Sequence, residues 1–344
     1  MKQYYDGSGG NNKLYQLEYF FSKNRVLLSA GTVLVLLALP FLGIGNYLLR
    51  ILIMIGIYTI LGQGLNILIG YTGLVSLGHA GFYGIGAYTA TLLMLHLGMN
   101  FFLAALLGGS LSALCGALLC LPTLKLKGPY LSVVTLGFGE IIRTVFLNWD
   151  SVTNGTLGLR NIPRPTVFGF QLTLANYGIY YLMLVLVILV TLLCYLVINS
   201  KVGRALISIK EDELAATMMG IDTSAYKELA FALSAFITGL AGAFYASMIS
   251  FIDPNSFTND VSTLMVSIVI LGGMGTLRGM FLGAAVLIAF PEMARFLMNY
   301  RFVFYGLVLI LMMRFRPQGI LGWKSQLPYR LPKKLRNMQE SMGT

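Results

Sequence analysis

The run YGIYYLMLVLVILVTLLCYLVI, residues 177–198, contains no charged side chain from its first residue to its last. An α-helix needs about 20 mainly apolar residues to cross the roughly 30 Å of hydrocarbon in a bilayer. This run therefore predicts a helix that spans a membrane.

Comparable apolar runs recur along nearly the whole chain. They lie at 26–43, 48–70, 73–97, 101–122, 130–148, 177–198, 229–251, 262–275, 280–298 and 302–314. The sequence thus predicts about ten spans, of which the eighth and tenth are short enough to be tilted, broken or merged with a neighbour. The expected fold class is all-α, a polytopic transmembrane helix bundle.

The composition agrees with a bundle surrounded by lipid. Only 11% of the 344 residues are charged, the mean hydropathy is +0.77, and soluble proteins carry about 25% charged residues. The net charge of +11 does not indicate nucleic-acid binding, because the basic residues lie in loops between apolar runs. Cys115, Cys120 and Cys194 lie within the runs without metal-ligand spacing, so we expect reduced packing residues, no metal and no cofactor.

The basic loops also orient the bundle. If the amino terminus is cytoplasmic, ten spans leave both termini inside, and most of the 24 Lys and Arg residues then lie on the cytoplasmic side. This is the distribution that the positive-inside rule describes. Residues 1–25 are polar and lack the short apolar core and small-residue cleavage site of a signal peptide, so we expect the first span to be retained.

The segment GYTGLVSLGHAGFYGIGAY, residues 70–88, combines closely spaced glycines with Ser76, His79 and Tyr83. Glycines allow the backbones of membrane helices to approach closely. They also permit unwound backbone, which is tolerated at membrane depth where it is buried or lines a water-filled path. The segment is therefore either a packing element or part of a translocation path, and His79 either bonds a neighbouring helix or touches that path.

A second glycine pattern lies in LGGMGTLRGMFLGA, residues 271–284. Gly275, Gly279 and Gly283 recur at every fourth position, which favours close contact between helices.

The fifth predicted span contains two opposite charges, Glu140 and Arg143. Residues three apart are neighbours on a helix, and an unpaired charge at the bilayer centre costs at least about 2.5–3.5 kcal/mol. We therefore expect the two side chains to pair. The pair is either structural or part of a transport site.

The loop NSKVGRALISIKEDELAATMMGIDTSAYKE, residues 199–228, has the pattern of a short amphipathic helix. Val202, Leu206 and Ile209 recur at helical spacing on a polar background, and Gly220 is placed as a helix stop. Such a helix beneath a bundle suggests a surface for a partner protein. The alternative is a solvated linker.

No common catalytic motif is present in the sequence. It contains no GxxxxGK[ST] phosphate-binding loop, no GxSxG and no HExxH. A transport protein of this kind would take its energy from an ion gradient or from another subunit.

The segment EDELAATMMGI, residues 211–221, resembles the coupling loop of ABC import permeases, with Glu213, Ala215, Ala216 and Gly220 at the corresponding places. Three longer segments are similar to the branched-chain amino acid permeases of bacterial ABC importers, in the larger of their two paired types. They are NILIGYTGLVSLGHAGFYGIGAY, KGPYLSVVTLGFGEIIR and SFIDPNSFTNDVSTLMVSIVILGGMGTLRG. The resemblance covers about residues 50–320, and urea and short-chain amide permeases share nearly the same motifs. The outer loop departs from it, because SVTNGTLGLRNIP lacks the paired glycines of many relatives.

The resemblance implies a non-catalytic permease subunit with several partners. They would be a second permease subunit in a heterodimer, two cytoplasmic ATPase subunits, an extracytoplasmic solute-binding protein and membrane lipid, with no nucleic acid. The substrate would be leucine, isoleucine, valine or a similar amino acid, carried across the bacterial inner membrane. The domains would be a cytoplasmic segment at 1–25, the permease domain at 26–316 and a cytoplasmic basic tail at 317–344. Within the domain, 149–176 is the outer loop and 199–228 the coupling loop.

Two groups of residues are the site candidates. The expected ATPase-coupling residues are Glu211, Asp212, Glu213, Ala215, Ala216 and Gly220. The expected residues of the translocation path or its gating are Ser76, His79, Tyr83, Glu140 and Arg143. The rival hypothesis is a secondary transporter or channel that works alone, with Glu140 and Arg143 as its proton or substrate site. A third hypothesis, a membrane enzyme, has almost no support from the residues.

Overall fold

The computed structural model describes residues 37, 40, 45–124, 128–167, 170–293, 301–315 and 319–321. Nearly all of the amino-terminal segment, of the first predicted span and of the basic tail lies outside these residues. Contacts divide the chain into a large unit, Arg50–Thr344, and a small unit, Met1–Leu49. In the small unit, residues 46–49 are helical.

The described part of the chain is mostly helical. Its helices are α1 Asn46–Asn66, α2 His79–Leu97, α3 Phe101–Thr123, α4 Pro129–Asn148, α5 Asp150–Thr153, α6 Gly178–Asn199, α7 Lys201–Glu211, α8 Glu213–Met218, α9 Thr223–Ile249, α10 Asn259–Gly272, α11 Leu277–Met293 and α12 Arg301–Phe315. Helix α1 continues into a π-helical turn, Ile67–Thr72.

Five of these helical stretches are long and apolar enough to cross a membrane, judged by length and composition over the described residues. They are Asn46–Thr72, Phe101–Thr123, Pro129–Asn148, Gly178–Asn199 and Thr223–Ile249. The chain is thus a multi-pass membrane protein. Helices α10 and α12 have 14 and 15 residues and correspond to the short eighth and tenth predicted spans, so the count of ten stays a prediction.

Short polar residues start several of the helices. Asn100, Ser200 and Asp222 each accept a hydrogen bond from a backbone N–H in the first turn of α3, α7 and α9. These side chains satisfy donors that the helix itself leaves without a partner. The helix boundaries therefore follow from local sequence.

Glycines bring α2, α3 and α9 into backbone contact. A Cβ atom on Gly86 would collide with the backbone of Gly239, and one on Gly242 would collide with the carbonyl group of Tyr83. A Cβ atom on Gly108 would in turn meet the carbonyl oxygen of Gly86. Because only hydrogen atoms face the neighbour at these points, the three helices pack at the short distances that small residues permit.

Helix α1 is central in the large unit, whereas α4 and α6 are peripheral. Ile53, Ile57 and Ile60 are fully buried. In contrast, only 22% of the residues in the most apolar part of α4 are buried, and the fraction in α6 is the same. These two helices therefore present their apolar side chains to lipid or to another subunit.

One end of the bundle carries residues 199–228, and we name it the 199–228 end. Lys210 in α7 donates from its Nζ to the carbonyl oxygen of Gly70, 2.8 Å away. Lys227 lines a small cavity there together with Thr123 and Leu131, at the end of α3 and the start of α4.

The opposite end carries residues 149–176, and we name it the 149–176 end. The hydroxyl of Thr153 donates to the carbonyl oxygen of Phe146 at 2.7 Å, and the hydroxyl of Ser247 to that of Pro163 at 3.3 Å. Successive long helices thus alternate in direction between the two ends, as the predicted topology requires.

The 149–176 end contains short strands that the all-α expectation did not include. Strand β1, Leu159–Arg160, pairs antiparallel with β4, Phe251–Ile252, and β2, Thr166–Val167, pairs with β3, Phe170–Gln171. Each strand has two residues. They give some backbone groups of this loop hydrogen-bond partners.

The three glycines spaced four apart in residues 271–284 have two different structural roles. Cβ atoms on Gly279 and Gly283 would collide with the backbone of α10, at Gly272 and Ile268, so close helix packing is correct for these two. Gly275 instead lies in the turn between α10 and α11 with a φ of +80°, a conformation that favours glycine. Gly275 is thus not part of a helix, but it does approach one closely, since a Cβ atom on Gly70 would be 2.5 Å from its backbone nitrogen.

Candidate functional site

Helix α8 is a short helix with a defined start and end. The side chain of Asp212 accepts hydrogen bonds from the backbone N–H groups of Leu214 and Ala215 at 2.9 and 3.0 Å. At the other end Gly220 has a φ of +82°, and the N–H of Ile221 donates to the carbonyl oxygen of Ala216 at 3.1 Å. This is a Schellman ending, so Gly220 is the helix stop that the sequence predicted.

An ion pair attaches α8 to the bundle. The carboxylate of Glu213 accepts a hydrogen bond from Nζ of Lys227, the fifth residue of α9. The Lys227 side chain is 7% exposed and that of Glu213 is 36% exposed. Because an unpaired buried ammonium group is costly, this pair fixes the position of α8 on α9.

The outer surface of α8 is apolar. Leu214, Met218 and Met219 are 69%, 78% and 83% exposed, whereas Ala216 is buried. Glu211, Asp212 and Ala215 are exposed beside them. Large exposed apolar side chains grouped in this way mark interaction surfaces, and methionine adapts its shape to a partner.

His79 lies at the start of α2 and is fully buried. Its Nδ1 is 2.9 Å from the hydroxyl of Ser76, and its Nε2 is 2.8 Å from the hydroxyl of Ser234. Ser234 gives its own proton to the carbonyl oxygen of Gly64 at 2.7 Å. Nε2 must therefore donate and Nδ1 accept, which makes both ring nitrogens part of a bond chain between α1, α2 and α9.

Tyr83 lies one turn further along α2, among aromatic rings. Its ring centroid is 5.4 Å from that of Tyr245 and 5.2 Å from that of Phe257. Phe257 belongs to the short 3₁₀ helix Pro254–Phe257 at the 149–176 end. Rings at these separations attract one another beyond simple burial, so they attach this turn to α2 and α9.

Glu140 and Arg143 form the expected ion pair within α4. The pair extends to two asparagines at the 149–176 end. Arg143 Nη2 donates to Asn255 Oδ1 at 3.1 Å, and Asn259 Nδ2 donates to Glu140 Oε2 at 3.0 Å. We name these four residues the polar cluster, which joins α4, the 3₁₀ helix and α10.

The five path candidates do not form one hydrogen-bonded group among the described residues. Ser76 is hydrogen-bonded to His79, and Glu140 is paired with Arg143. The two pairs nevertheless lie at a similar depth, because a Cβ atom on Gly139 would be 3.2 Å from the Cα atom of Gly78 and 3.6 Å from Oδ1 of Asn259. Tyr83 lies one turn further along α2 than His79 and takes part in neither pair. Its ring packs against those of Tyr245 and Phe257.

Several hydrogen-bond partners of the candidate residues were not identified from the sequence. Ser234, Asn255 and Asn259 are distant in sequence from the residues they bind, so no local pattern points to them. The exposed apolar surface of α8 could have been predicted from the sequence, because Leu214 and Met218 are four residues apart and therefore share one helix face.

The family model and the similar proteins named below are described as branched-chain amino acid permeases. The family model described as "Branched-chain amino acid transport system / permease component" matches residues 47–313. The high-affinity branched-chain amino acid transport system permease protein LivM of Salmonella typhimurium is 39% identical over 77% of this chain and 68% of that protein. LivM of Escherichia coli is 38% identical over the same shares. The permease protein LivH of Salmonella typhimurium is 25% identical over 77% of this chain and 91% of LivH. No solved structure matches.

We expect His79→Ala to lower the free energy of unfolding by about 2–3 kcal/mol, because it leaves buried hydroxyl groups without partners and creates a cavity. Thermal unfolding in mild detergent measures the loss. His96→Ala is the matched control, since His96 is exposed and its replacement should cost under about 0.5 kcal/mol. Equal melting temperatures for His79→Ala and the parent chain would contradict the structural role of the bond chain.

Proposed function

Because the chain belongs to the family of branched-chain amino acid transport permease components, we propose that it is the transmembrane subunit of an ATP-driven ABC importer. Its substrates would be leucine, isoleucine, valine or similar amino acids. The observation that carries this proposal is the identity of 38–39% to two LivM proteins over 77% of the chain, since both are named for high-affinity branched-chain amino acid transport.

The chain is a transport component, and we assign ATP hydrolysis to separate ATPase subunits. The absence of a GxxxxGK[ST] loop from the sequence supports this division, because that loop cradles the phosphates in P-loop ATPases. The resemblance of residues 211–221 to a coupling loop supports the ATP-driven mechanism.

The proposed assembly contains a second permease of the LivH kind, two cytoplasmic ATPases and an extracytoplasmic solute-binding protein. The similarity to LivH supports a pair of related permeases. The exposed apolar residues of α4 and α6 offer area for such a neighbour as well as for lipid. The binding protein would meet the 149–176 end and deliver the amino acid there.

The proposed location is the bacterial inner membrane, with both termini in the cytoplasm. The basic loops support this orientation. Residues 1–25 and 317–344 would be cytoplasmic segments on either side of a permease domain at 26–316. The 199–228 end would then face the cytoplasm, where an ATPase can reach α8.

Helix α8 is the proposed docking surface for the ATPase. Asp212 and Gly220 define its ends, the Glu213 pair with Lys227 holds it in place, and buried Ala216 packs it inward. Leu214, Met218 and Met219 would make most of the contact area, with Glu211 and Ala215 beside them. The acidic residues thus serve mainly to position the helix, and apolar burial would supply the affinity.

The proposed path candidates would act on neighbouring helix contacts. Ser76 and His79 would hold α2 against α9, and the polar cluster would join α4 to α10 beside them. Tyr83 would hold α2 against α9 one turn further along. Because a soluble receptor delivers the substrate, the path does not need a tight, charged pocket.

We expect the triple replacement of Leu214, Met218 and Met219 by Ser to reduce co-purification of the ATPase at least tenfold. Burial of each such side chain contributes about 1.5–3 kcal/mol, and 1.4 kcal/mol corresponds to a factor of ten. Pull-down of the detergent-solubilised complex measures the association. The control is Leu157→Ser, which changes a leucine of similar exposure (65%) at the 149–176 end and should leave ATPase association unchanged. Unaltered association of the triple variant would exclude α8 as the docking surface.

The proposed substrate is tested by a binding screen of the solute-binding protein that serves this permease. Isothermal titration with leucine, isoleucine, valine, urea and acetamide should show saturable binding of the three amino acids, and no binding of urea or acetamide. Binding of urea or acetamide alone would contradict the amino acid assignment and place the chain with urea or short-chain amide permeases.

A further inference from the structure

The π-helical turn at the end of α1 leaves a carbonyl group without its helical donor. In a continuous α-helix the N–H of Leu74 would donate to Gly70, but it donates to the carbonyl oxygen of Leu68 at 3.1 Å instead. Gly73 then leaves the helix with a φ of +73°. The Gly70 oxygen therefore needs a donor from outside α1.

Lys210 supplies that donor from the last turn of α7. Its Nζ lies 2.8 Å from the Gly70 oxygen, and its Cγ lies so close to Gly73 that an added Cβ would be 3.3 Å from it. A cation at the carboxyl end of a helix is favourable, because the free carbonyl groups there carry partial negative charge. Lys210 thus caps α1, and only Glu211 and Asp212 separate it from α8.

The same turn of α1 holds the α10–α11 connection on its other side. The hydroxyl of Tyr71 donates to the carbonyl oxygen of Gly275 at 2.7 Å. The N–H of Gly275 donates to Oδ1 of Asn66 at 2.9 Å, and Nδ2 of Asn66 contacts the carbonyl oxygen of Thr276 at 3.4 Å. Both backbone groups of Gly275 are therefore bound by α1 and its π-helical turn.

Helix α10 continues this line of contacts towards the 149–176 end. Its 14 residues correspond to about 21 Å at 1.5 Å per residue. Gly273 and Gly275 follow its carboxyl end, and Asn259, its first residue, donates to Glu140 in the polar cluster. A rigid helix thus joins the connection that α1 holds to the cluster at the opposite end.

We infer that Lys210 is a positioning residue that transmits movement of α8 through the π-helical turn and α10 to the polar cluster. This inference rests on the proposed function, because it assumes that an ATPase moves α8. A displaced α7 would pull on Gly70, and the bonds of Tyr71 and Asn66 would carry the shift to Gly275. Coupling of this kind needs a physical element that both sites influence, and the π-helical turn is that element.

The test uses the whole transporter in proteoliposomes and measures leucine taken up per ATP hydrolysed. Lys210→Met should lower this ratio at least tenfold, while ATPase association and hydrolysis stay within twofold of wild type. Lys210→Arg should keep the ratio within threefold, because a guanidinium group can also donate to the Gly70 oxygen. Lys201→Met is the control, since it removes an exposed cation from the first turn of the same helix, and its ratio should not change.

A second variant tests the contact between Tyr71 and Gly275. It remains informative even if Lys210→Met does not fold. Tyr71→Phe removes only the hydroxyl that binds Gly275, so it should lower the ratio in the same way. The double variant Lys210→Met/Tyr71→Phe should be no worse than Lys210→Met, because both changes break one line of contacts.

Three results would overturn the inference: a wild-type ratio for Lys210→Met and Tyr71→Phe, equal losses for Lys210→Met and Lys201→Met, or loss of ATPase association in Lys210→Met. Failure of the proposed function would instead be visible in the wild-type transporter, as a lack of ATP-dependent uptake.

Discussion

Gly86 and Gly239 bring the backbones of α2 and α9 so close that a methyl group on Gly86 would collide with the other helix. This contact aligns the residues on either side of it. Towards the 199–228 end, His79 of α2 binds Ser234 of α9. Beyond Gly239 along α9, Tyr245 packs against Tyr83 and Phe257. The α2–α9 pair therefore serves as a fixed frame for both ends of the bundle, which is what small residues achieve where lipid provides no hydrophobic force between helices.

The 199–228 segment is attached to this frame at two points with different chemistry. Lys227 forms an ion pair with Glu213 and holds α8 against α9, while Lys210 binds the Gly70 carbonyl group and holds α7 against α1. Two such anchors attach the segment to the helices below it. If α8 is the docking helix that we propose, this attachment would allow it to act on helices that cross the membrane.

The sequence predicted those features that depend on neighbouring residues. The apolar runs, the amphipathic α7, the helix stop at Gly220 and the ion pair of Glu140 with Arg143 all follow from spacing over a few positions. The bonds of Lys210 to Gly70, of His79 to Ser234 and of Glu140 to Asn259 join residues far apart in the chain. Composition and periodicity contain no information on such pairs. The turn at Gly275 was missed because a glycine spacing suited to helix packing also suits a turn with positive φ.

We propose that this chain carries a branched-chain amino acid with energy from ATP hydrolysed on another subunit. The most direct test is uptake of labelled leucine by proteoliposomes that contain the complete transporter, with wild-type ATPase or with ATPase inactivated at its phosphate-binding lysine. We expect leucine to accumulate only with the active ATPase and ATP. Undiminished accumulation with the inactive ATPase, or uptake driven by a proton gradient in this chain alone, would contradict it and identify a secondary transporter or channel.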